Sequence, residues 1–194
     1  MKKISRLNLI TVQKPTRMKK VAQKTKKNNK KIARIRRQRG YHWEDTLVKR
    51  FNSVGDWKAF RLGSPSVGLP DVLAVSTKHQ TIFTIEAKSG TGTTLQVPFD
   101  QIQRCLKWTK TFELYKNRKV ILAFKFLSKK RIDIGKYESR ELREFFKTWN
   151  ESLKITDCIC TYEGDTFALE NRNRTKIDLE DISMPFNSRH QVFS

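Results

Sequence analysis

The fold is decided by one stretch of sequence, PDVLAVSTKHQTIFTIEAKS, which occupies residues 70–89. Its second half, from Thr81 to Lys88, alternates with a period of two, so that Glu86 and Lys88 share one face of a predicted strand. Its first half opens another strand at Asp71, after a turn rich in Gly, Pro and Ser. Two adjacent strands of this kind predict that Asp71 and Glu86 lie side by side, with Lys88 next to them.

Regular elements are predicted on both sides of that stretch. Upstream, apolar residues at helical spacing predict a helix from Tyr41 to Phe51, and a strand follows from Trp57 to Leu62. Downstream, one face of a predicted helix carries Phe99, Ile102, Cys105, Leu106, Thr109 and Phe112. The next strand, Lys119 to Phe126, is an almost continuous apolar run, which is typical of a strand buried on both faces of a sheet. The order helix, three strands, helix, strand predicts an α/β fold with a mixed central β-sheet flanked by helices.

The sequence after Leu127 has weaker patterns. A short strand is predicted around Ile132, and apolar residues at helical spacing predict a helix from Glu138 to Trp149. Residues 155–162 and 166–169 are predicted to pair as a hairpin across a Glu-Gly-Asp turn.

The N-terminal part of the chain is strongly basic. The formal net charge is +22, sixteen of the 41 Lys and Arg residues lie before Gly40, and the first acidic residue is Glu44. Such a segment is expected to be a disordered or transiently helical tail that binds phosphates without sequence preference. A solvated extension or a targeting signal is the alternative. The chain thus divides into a basic tail of residues 1–38, a core of residues 39–128 and a C-terminal extension of residues 129–194 packed on the core.

Composition limits the class of protein. Apolar residues make up 37% of the chain and include twelve Phe and four Trp, which is enough to fill one core. No apolar run is long enough to cross a bilayer, and none near Met1 resembles a secretory signal. The three cysteines cannot all pair, and their spacing matches no zinc site, so a reducing compartment is expected. We expect a soluble, cytoplasmic protein that binds nucleic acid, with no membrane partner and no small-molecule substrate.

The paired carboxylates indicate metal chemistry. Asp71 and Glu86 offer the hard oxygen ligands that Mg²⁺ prefers, and this ion keeps positions for water and for phosphate oxygens of a substrate. Lys88 can orient or deprotonate an attacking water, or neutralise developing negative charge. For Glu86 and Lys88 alone, a surface ion pair would be the better interpretation. Asp71, the apolar flanks and the upstream Glu44 reverse that preference.

Glu44 lies on the same helix face as the apolar Leu47 and Val48. A carboxylate that points towards a core needs a cation, a hydrogen-bond network or a wet position at the rim, because an unpaired buried charge is costly. Taken alone, Glu44 fits the wet rim; taken with the two strand carboxylates, it becomes the third acidic residue of a candidate site.

The segments in their order along the chain resemble the archaeal Holliday junction resolvases of the PD-(D/E)xK nuclease superfamily. The resemblance covers roughly residues 38–127 and is carried by Arg39-Gly40, Glu44 with Leu47-Val48, Phe60-Arg61, Pro70-Asp71-Val72-Leu73-Ala74, Ile85-Glu86-Ala87-Lys88-Ser89, Leu95-Gln96-Val97 with Gln101, and Val120-Ile121-Leu122-Ala123-Phe124-Lys125-Phe126. It implies a restriction-endonuclease-like core. The basic segment before it and the residues after about 128 have no counterpart in the family.

The resemblance also implies a catalytic centre. Glu44, Asp71 and Glu86 are implied as ligands of Mg²⁺, for which Mn²⁺ is expected to substitute, and Lys88 is implied as the catalytic lysine.

Contacts with DNA are implied around this centre. Arg61 is implied at the phosphate of the scissile strand, and Arg39 is a further candidate for DNA contact. A serine of the loop before the second strand is also implied, and the spacing does not choose between Ser64 and Ser66. We assign a catalytic role to Ser64 and DNA contact to Ser66, with ordinary turn chemistry as the alternative for either.

The second helix adds two polar candidates. Gln101, at its start, is expected near the rim of the site, where it holds a water, orients the lysine or contacts DNA; helix solvation is the alternative. Arg104, one turn later, is expected to be solvated or to touch DNA. Trp43, Trp57 and Trp108 are expected to pack in the core.

The implied function is resolution of Holliday junctions, which are four-way DNA branch points, in recombination and repair. The family acts as a homodimer with two active sites, and an archaeal-type, nucleoid-associated location follows. Two alternatives stay open. One is another PD-(D/E)xK nuclease of restriction or repair type, because fold and catalytic residues do not determine the substrate. The other is a non-catalytic nucleic-acid-binding module whose carboxylates are structural.

Overall fold

The computed structural model describes residues 16–63, 68–133, 135–171 and 173–187. The elements follow in the order α1 Thr16–Asn52, β1 Lys58–Arg61, β2 Val72–Ser76, β3 Thr81–Gly90, β4 Thr94–Val97, α2 Phe99–Thr111, β5 Asn117–Phe126, β6 Lys129–Asp133, β7 Lys136–Ser139, β8 Arg143–Thr148, β9 Asp157–Thr161, β10 Thr166–Glu170 and β11 Asn173–Ile177. The chain from Arg37 onward forms one compact unit, and the first part of α1 belongs to another.

A five-stranded sheet in the order β1-β2-β3-β5-β8 forms the centre of this unit. β3 and β5 are parallel, and the other neighbouring pairs are antiparallel. A parallel pair needs a long crossover, and α2 lies within the connection between β3 and β5. The predicted α/β class with a mixed central sheet is confirmed.

The two faces of this sheet bury two separate apolar clusters. On one face, Trp43, Leu47 and Phe51 of α1 pack in a cluster that includes Phe83 and Ile85 of β3. On the other face, the buried residues of α2 are Ile102, Cys105, Leu106 and Thr109. They lie against alternate residues of β5. The predicted alternation of β3 is therefore confirmed. The face of β3 that carries Glu86 and Lys88 is the one turned towards α2.

The residues from 129 onward contribute to the central sheet and to a second, four-stranded sheet. They supply β8 at the edge of the central sheet, and they supply β9, β10 and β11, which form a four-stranded antiparallel sheet with β4. The predicted hairpin of residues 155–162 and 166–169 appears as β9 and β10. The predicted short strand around Ile132 appears as β6, which pairs with β7.

The helix predicted from Glu138 to Trp149 is wrong, because this segment forms β7 and β8. In β8, Phe146 lies opposite Ala123 and Phe145 lies opposite Phe124 of β5. Over so few residues the apolar spacing fits a strand as well as a helix. The second edge of the buried strand β5 decides between them, since its backbone N–H and C=O groups need partners.

Smaller predictions have mixed outcomes. Trp43 and Trp57 are buried as expected, whereas Trp108 is only half-buried and the prediction that it packs in the core is wrong. All three cysteines are free and buried. β4 and β11 were not predicted. Residues 16–38 of the predicted tail lie in α1, and residues 1–15 lie outside the described residues. Within the described ranges, no helix is long and apolar enough to cross a membrane.

Candidate active site

Glu44 of α1 and Asp71, the residue before β2, face each other across a glycine. A Cβ atom placed on Gly63 would lie 3.5 Å from Oε2 of Glu44 and 3.5 Å from Oδ1 of Asp71. A Cβ atom on Gly40 would lie 3.7 Å from Oε1 of Glu44. Gly63 therefore lies beside both carboxylates, and Gly40 lies beside Glu44.

Two backbone N–H groups donate hydrogen bonds to Asp71, one from Ala87 in β3 and one from Leu62 next to β1. Its Oδ2 accepts a hydrogen bond of 2.9 Å from the backbone N–H of Ala87. Its backbone carbonyl accepts one of 3.0 Å from the N–H of Leu62. The carboxylate is thereby held at the end of the β2–β3 pair, as the sequence predicted, and Oδ1 is left to face Gly63.

Glu86 lies beside this pair but is engaged by two cations. Its side chain is fully buried. Lys88 Nζ donates to its Oε1 at 2.5 Å, and Arg104 Nη2 donates to its Oε2 at 3.0 Å. Lys88 Nζ is also 3.8 Å from Oδ2 of Asp71. Lys88 thus bridges the two strand carboxylates, and Arg104 closes the far side of Glu86.

Burial sets the charge of Glu44. Burial, and next the nearby charge of Asp71, raise the pKa of Glu44 from its ordinary value of 4.5 to about 7, against the lowering effects of Arg61 and Lys88. Its Oε2 is buried and has no hydrogen-bond partner among the described residues. Such an atom is expensive to leave alone. Asp71 has Lys88 beside it, whereas this oxygen of Glu44 has no donor among the described residues.

A divalent cation fits this arrangement, because carboxylate oxygens are the ligands that hard cations prefer. Within the described ranges, however, no three His, Cys, Asp or Glu side chains already stand in position to hold a metal ion. Glu86 is held by Lys88 and Arg104 instead, and burial keeps its pKa above the ordinary value although these two cations lower it. The structure brings Glu44 and Asp71 together at one opening, and it places Glu86 on the cations behind them.

A cavity of about 160 Å³ contains this opening, and its walls include Tyr41, Glu44, Asp71, Gln101 and Arg104. Oε1 of Gln101 is buried without a partner in the described part of the chain. A buried polar atom of this kind normally has a partner, which a ligand or a water supplies when the protein does not. Gln101 therefore lies in the wall of the site with a free acceptor.

The other predicted residues lie around the cavity or outside the described residues. Arg61, in β1, is 3.4 Å from Oδ1 of Asp45, and its guanidinium lies 5.0 Å from the centre of the Tyr41 ring. Arg39 is half-buried, and its carbonyl accepts a hydrogen bond of 3.2 Å from Ser89 Oγ. Ser64 and Ser66 lie outside the described residues.

The sequence predicted that Arg104 is solvated or touches DNA, and it did not predict the contact of Arg104 with Glu86. Only 14% of its side chain is exposed, and it forms an ion pair with Glu86 instead of standing in solvent. Two signals could have located it. First, it stands one turn after Gln101, between the core positions Ile102 and Cys105. Second, Glu86 lies on the face of β3 that is turned towards α2, and a buried glutamate needs a cation, which that helix can supply.

Comparison with known proteins decides the family. The family model described as archaeal Holliday junction resolvase (Hjc) matches residues 35–162, a range that contains every site residue named above. The chain belongs to this family. The resolvase is therefore an endonuclease that acts on Holliday junctions, and its mixed sheet is the restriction-endonuclease-like core that the sequence predicted.

Other comparisons add less. A solved structure similar to this resolvase is that of Archaeoglobus fulgidus Hjc, a Holliday junction resolvase from an archaeal hyperthermophile. It has 16% sequence identity and a TM-score of 0.43, and the match covers 71% of this chain and 85% of that one. A search of curated proteins found no match.

Proposed function

We propose that this resolvase cuts four-way DNA junctions by Mg²⁺-dependent hydrolysis of phosphodiester bonds, with Mn²⁺ able to substitute. The observation that carries the proposal is the facing pair Glu44 and Asp71, with Lys88 Nζ 3.8 Å from Asp71. Facing carboxylates can hold a divalent cation, and a neighbouring lysine can act on the attacking water, so this arrangement suits metal-assisted phosphodiester hydrolysis.

Glu44, Asp71 and Glu86 are the proposed metal ligands. Bound Mg²⁺ would stabilise negative charge on the phosphate and lower the pKa of a bound water. The unpartnered Oε2 of Glu44 supports this assignment, because a buried carboxylate oxygen without a donor is able to accept a cation. Glu86 must exchange its 2.5 Å contact with Lys88 to take part.

Lys88 is the proposed catalytic lysine. It lies between the carboxylates of Asp71 and Glu86, and 23% of its side chain is exposed. As a compact cation it can orient the attacking water and offset charge that develops on the phosphate.

We assign DNA contacts to residues around the cavity. The ion pair of Arg61 with Asp45 is partly exposed, so a phosphate can compete for the guanidinium. Gln101 has a buried acceptor in the cavity wall that no described residue partners. We keep Arg39 and the loop residues Ser64 and Ser66 as proposed contacts, with Ser64 in a catalytic role.

We propose that the enzyme works as a homodimer, because a nearly two-fold symmetric junction needs two cuts. Sedimentation at working concentrations tests this assembly. A DNA substrate of this kind also implies a cytoplasmic, nucleoid-associated location.

The test is cleavage of a labelled four-way junction, a matched linear duplex and a flap, with Mg²⁺ or with chelator. We expect paired symmetric cuts in the junction alone, lost with chelator and with Asp71→Asn, Glu86→Gln or Lys88→Met. Glu113→Gln is the matched control, since Glu113 is an exposed carboxylate outside the site, and it should cut as the wild type does.

Each other outcome has a meaning. Equal cutting of duplex or flap would replace junction resolution with a wider nuclease activity. Tight binding without cutting would leave only a binding module. Unimpaired cutting by Asp71→Asn would place the catalytic centre elsewhere.

A further inference from the structure

A larger groove adjoins the active-site cavity along α2. Its volume is about 830 Å³. Asp100 and Arg104 line both spaces, so the groove begins at the site and continues along the helix. We call it the α2 groove, after its α2 residues Asp100, Gln103, Arg104, Lys107 and Lys110.

The charges in the α2 groove favour a polyanion. Lys107 and Lys110 are exposed, and neither forms an ion pair with any residue of the described ranges. Arg104 is offset by Glu86, and Asp100 is the one acidic residue among the described residues that line the groove. Two cations are therefore left without a counter-charge beside a phosphodiester-cutting site.

Helix geometry places Lys107 and Lys110 on the same face of α2 as Gln103. Gln103, Lys107 and Lys110 follow one another at intervals of four and three, so they share one face of α2. The opposite face is buried, which fixes the rotation of the helix. Trp108 Nε1 also donates a hydrogen bond of 3.2 Å to the carbonyl of Gly68, which ties the segment before Asp71 to α2.

We propose that the α2 groove binds the sugar-phosphate backbone of the junction strand leading away from the scissile phosphate, through Lys107 and Lys110. The proposal rests on the proposed function, because it takes the active-site cavity as the place of the scissile phosphate. A strand that passes Asp100 and Arg104 enters this groove directly. Its phosphates then supply the negative charge that the two lysines lack.

The experiment compares Lys107→Ala/Lys110→Ala with Lys49→Ala/Lys58→Ala. Both control lysines are exposed, and Lys58 lies opposite Val75, at the end of β1 away from the site. The two variants therefore lose the same charge in different places. Binding of a labelled four-way junction is measured in chelator as salt rises from about 50 to about 200 mM.

The groove variant should lose about two units of slope in log K against log salt. Over that salt range the wild type then loses about tenfold more affinity than the groove variant does. The control should keep the wild-type slope. Equal slopes for the groove variant and the control would overturn the proposal.

Two further measurements separate causes. Gln103→Glu puts a negative charge into the groove without removing a lysine, so it should weaken junction binding; unchanged binding would also overturn the proposal. At limiting protein, the groove variant should cut the junction more slowly than the Lys49→Ala/Lys58→Ala control, because it holds less of the substrate; equal rates for the two variants would also overturn the proposal. A wild type that cuts no junction would refute the proposed function and leave the binding test valid.

Discussion

Ionisation of Glu44 depends on what occupies the site. Its carboxylate is buried beside Asp71, and its pKa stands at about 7. A metal ion favours the ionised form, so metal and proton compete for this group. Occupancy of the proposed site by Mg²⁺ should therefore rise as the pH increases through about 7.

Ionisation of Glu44 should destabilise the metal-free protein. Its pKa in the folded state, about 7, lies above the ordinary 4.5, so the folded state holds the proton more tightly. Its contribution to the free energy of unfolding therefore declines from about pH 4.5 to about pH 7 and is constant above that. Denaturation should show equal free energies of unfolding for the wild type and Glu44→Gln near pH 4. Near pH 8 the wild type should be the less stable of the two, and the change with pH should have the slope of about one titrating group.

Added Mg²⁺ should cancel that loss in the wild type and leave Glu44→Gln nearly unchanged, because the variant lacks one ligand. A stability difference between the two proteins that does not vary with pH would contradict the assignment.

Arg104 should act as a positioning residue for Glu86. With Arg104→Ala, Glu86 keeps only Lys88, and its pKa should rise because Arg104 holds it down. We expect turnover to fall about 10- to 100-fold, as for other groups that orient metal ligands. Arg104→Lys should restore part of the rate.

The pH profile distinguishes this role from a loss of structure. A Glu86 with a higher pKa is protonated at higher pH, so the acidic limb of the rate profile should move upward for Arg104→Ala. A uniform fall at every pH would indicate a structural role instead.

At the scale of elements, β8 completes the central sheet. It pairs with β5 over six residues, and its Phe146 packs among the residues on the α1 side. Without β8, a strand buried on both faces would present unpaired backbone groups at its edge. The sheet that carries the site therefore depends on residues beyond the predicted core.

Phe146→Ala should lower the free energy of unfolding by about 3–5 kcal/mol, because Phe146 is 7% exposed and its removal leaves a cavity. Phe60→Ala is the control, since Phe60 in β1 is 53% exposed and should cost far less. Urea denaturation measures both. Equal losses would mean that β8 packs less tightly than the structure shows.

At the scale of the whole molecule, positive charge is concentrated at the N-terminus. Fifteen of the 41 Lys and Arg residues lie in residues 1–38. This segment carries no residue of the proposed catalytic centre. Its effect should therefore fall on binding and not on the chemical step.

Deletion of residues 1–38 should weaken junction binding and reduce its salt dependence, since each phosphate contact contributes about 0.9 unit of slope. Cutting at saturating protein should be retained. Fluorescence anisotropy over a salt series measures the first effect, and single-turnover cleavage measures the second. An unchanged slope would show that the tail makes no phosphate contact, and it would leave the α2 groove proposal untouched.

Local patterns in the sequence determined much of this protein. The alternation of residues 81–88, the helical spacing of residues 41–51 and the apolar run of β5 predicted elements that the structure contains, because each depends on neighbours within a few residues. The order of these segments also led to the family.

Only the tertiary structure decided the rest, because it depends on contacts between distant residues. The strand at β8 follows from the free edge of β5, and local spacing could not show it. The pairing of Arg104 with Glu86 and the meeting of Glu44 with Asp71 across Gly63 join residues from separate elements. Burial at those contacts sets the charges of the site, and burial is a property of the packed molecule.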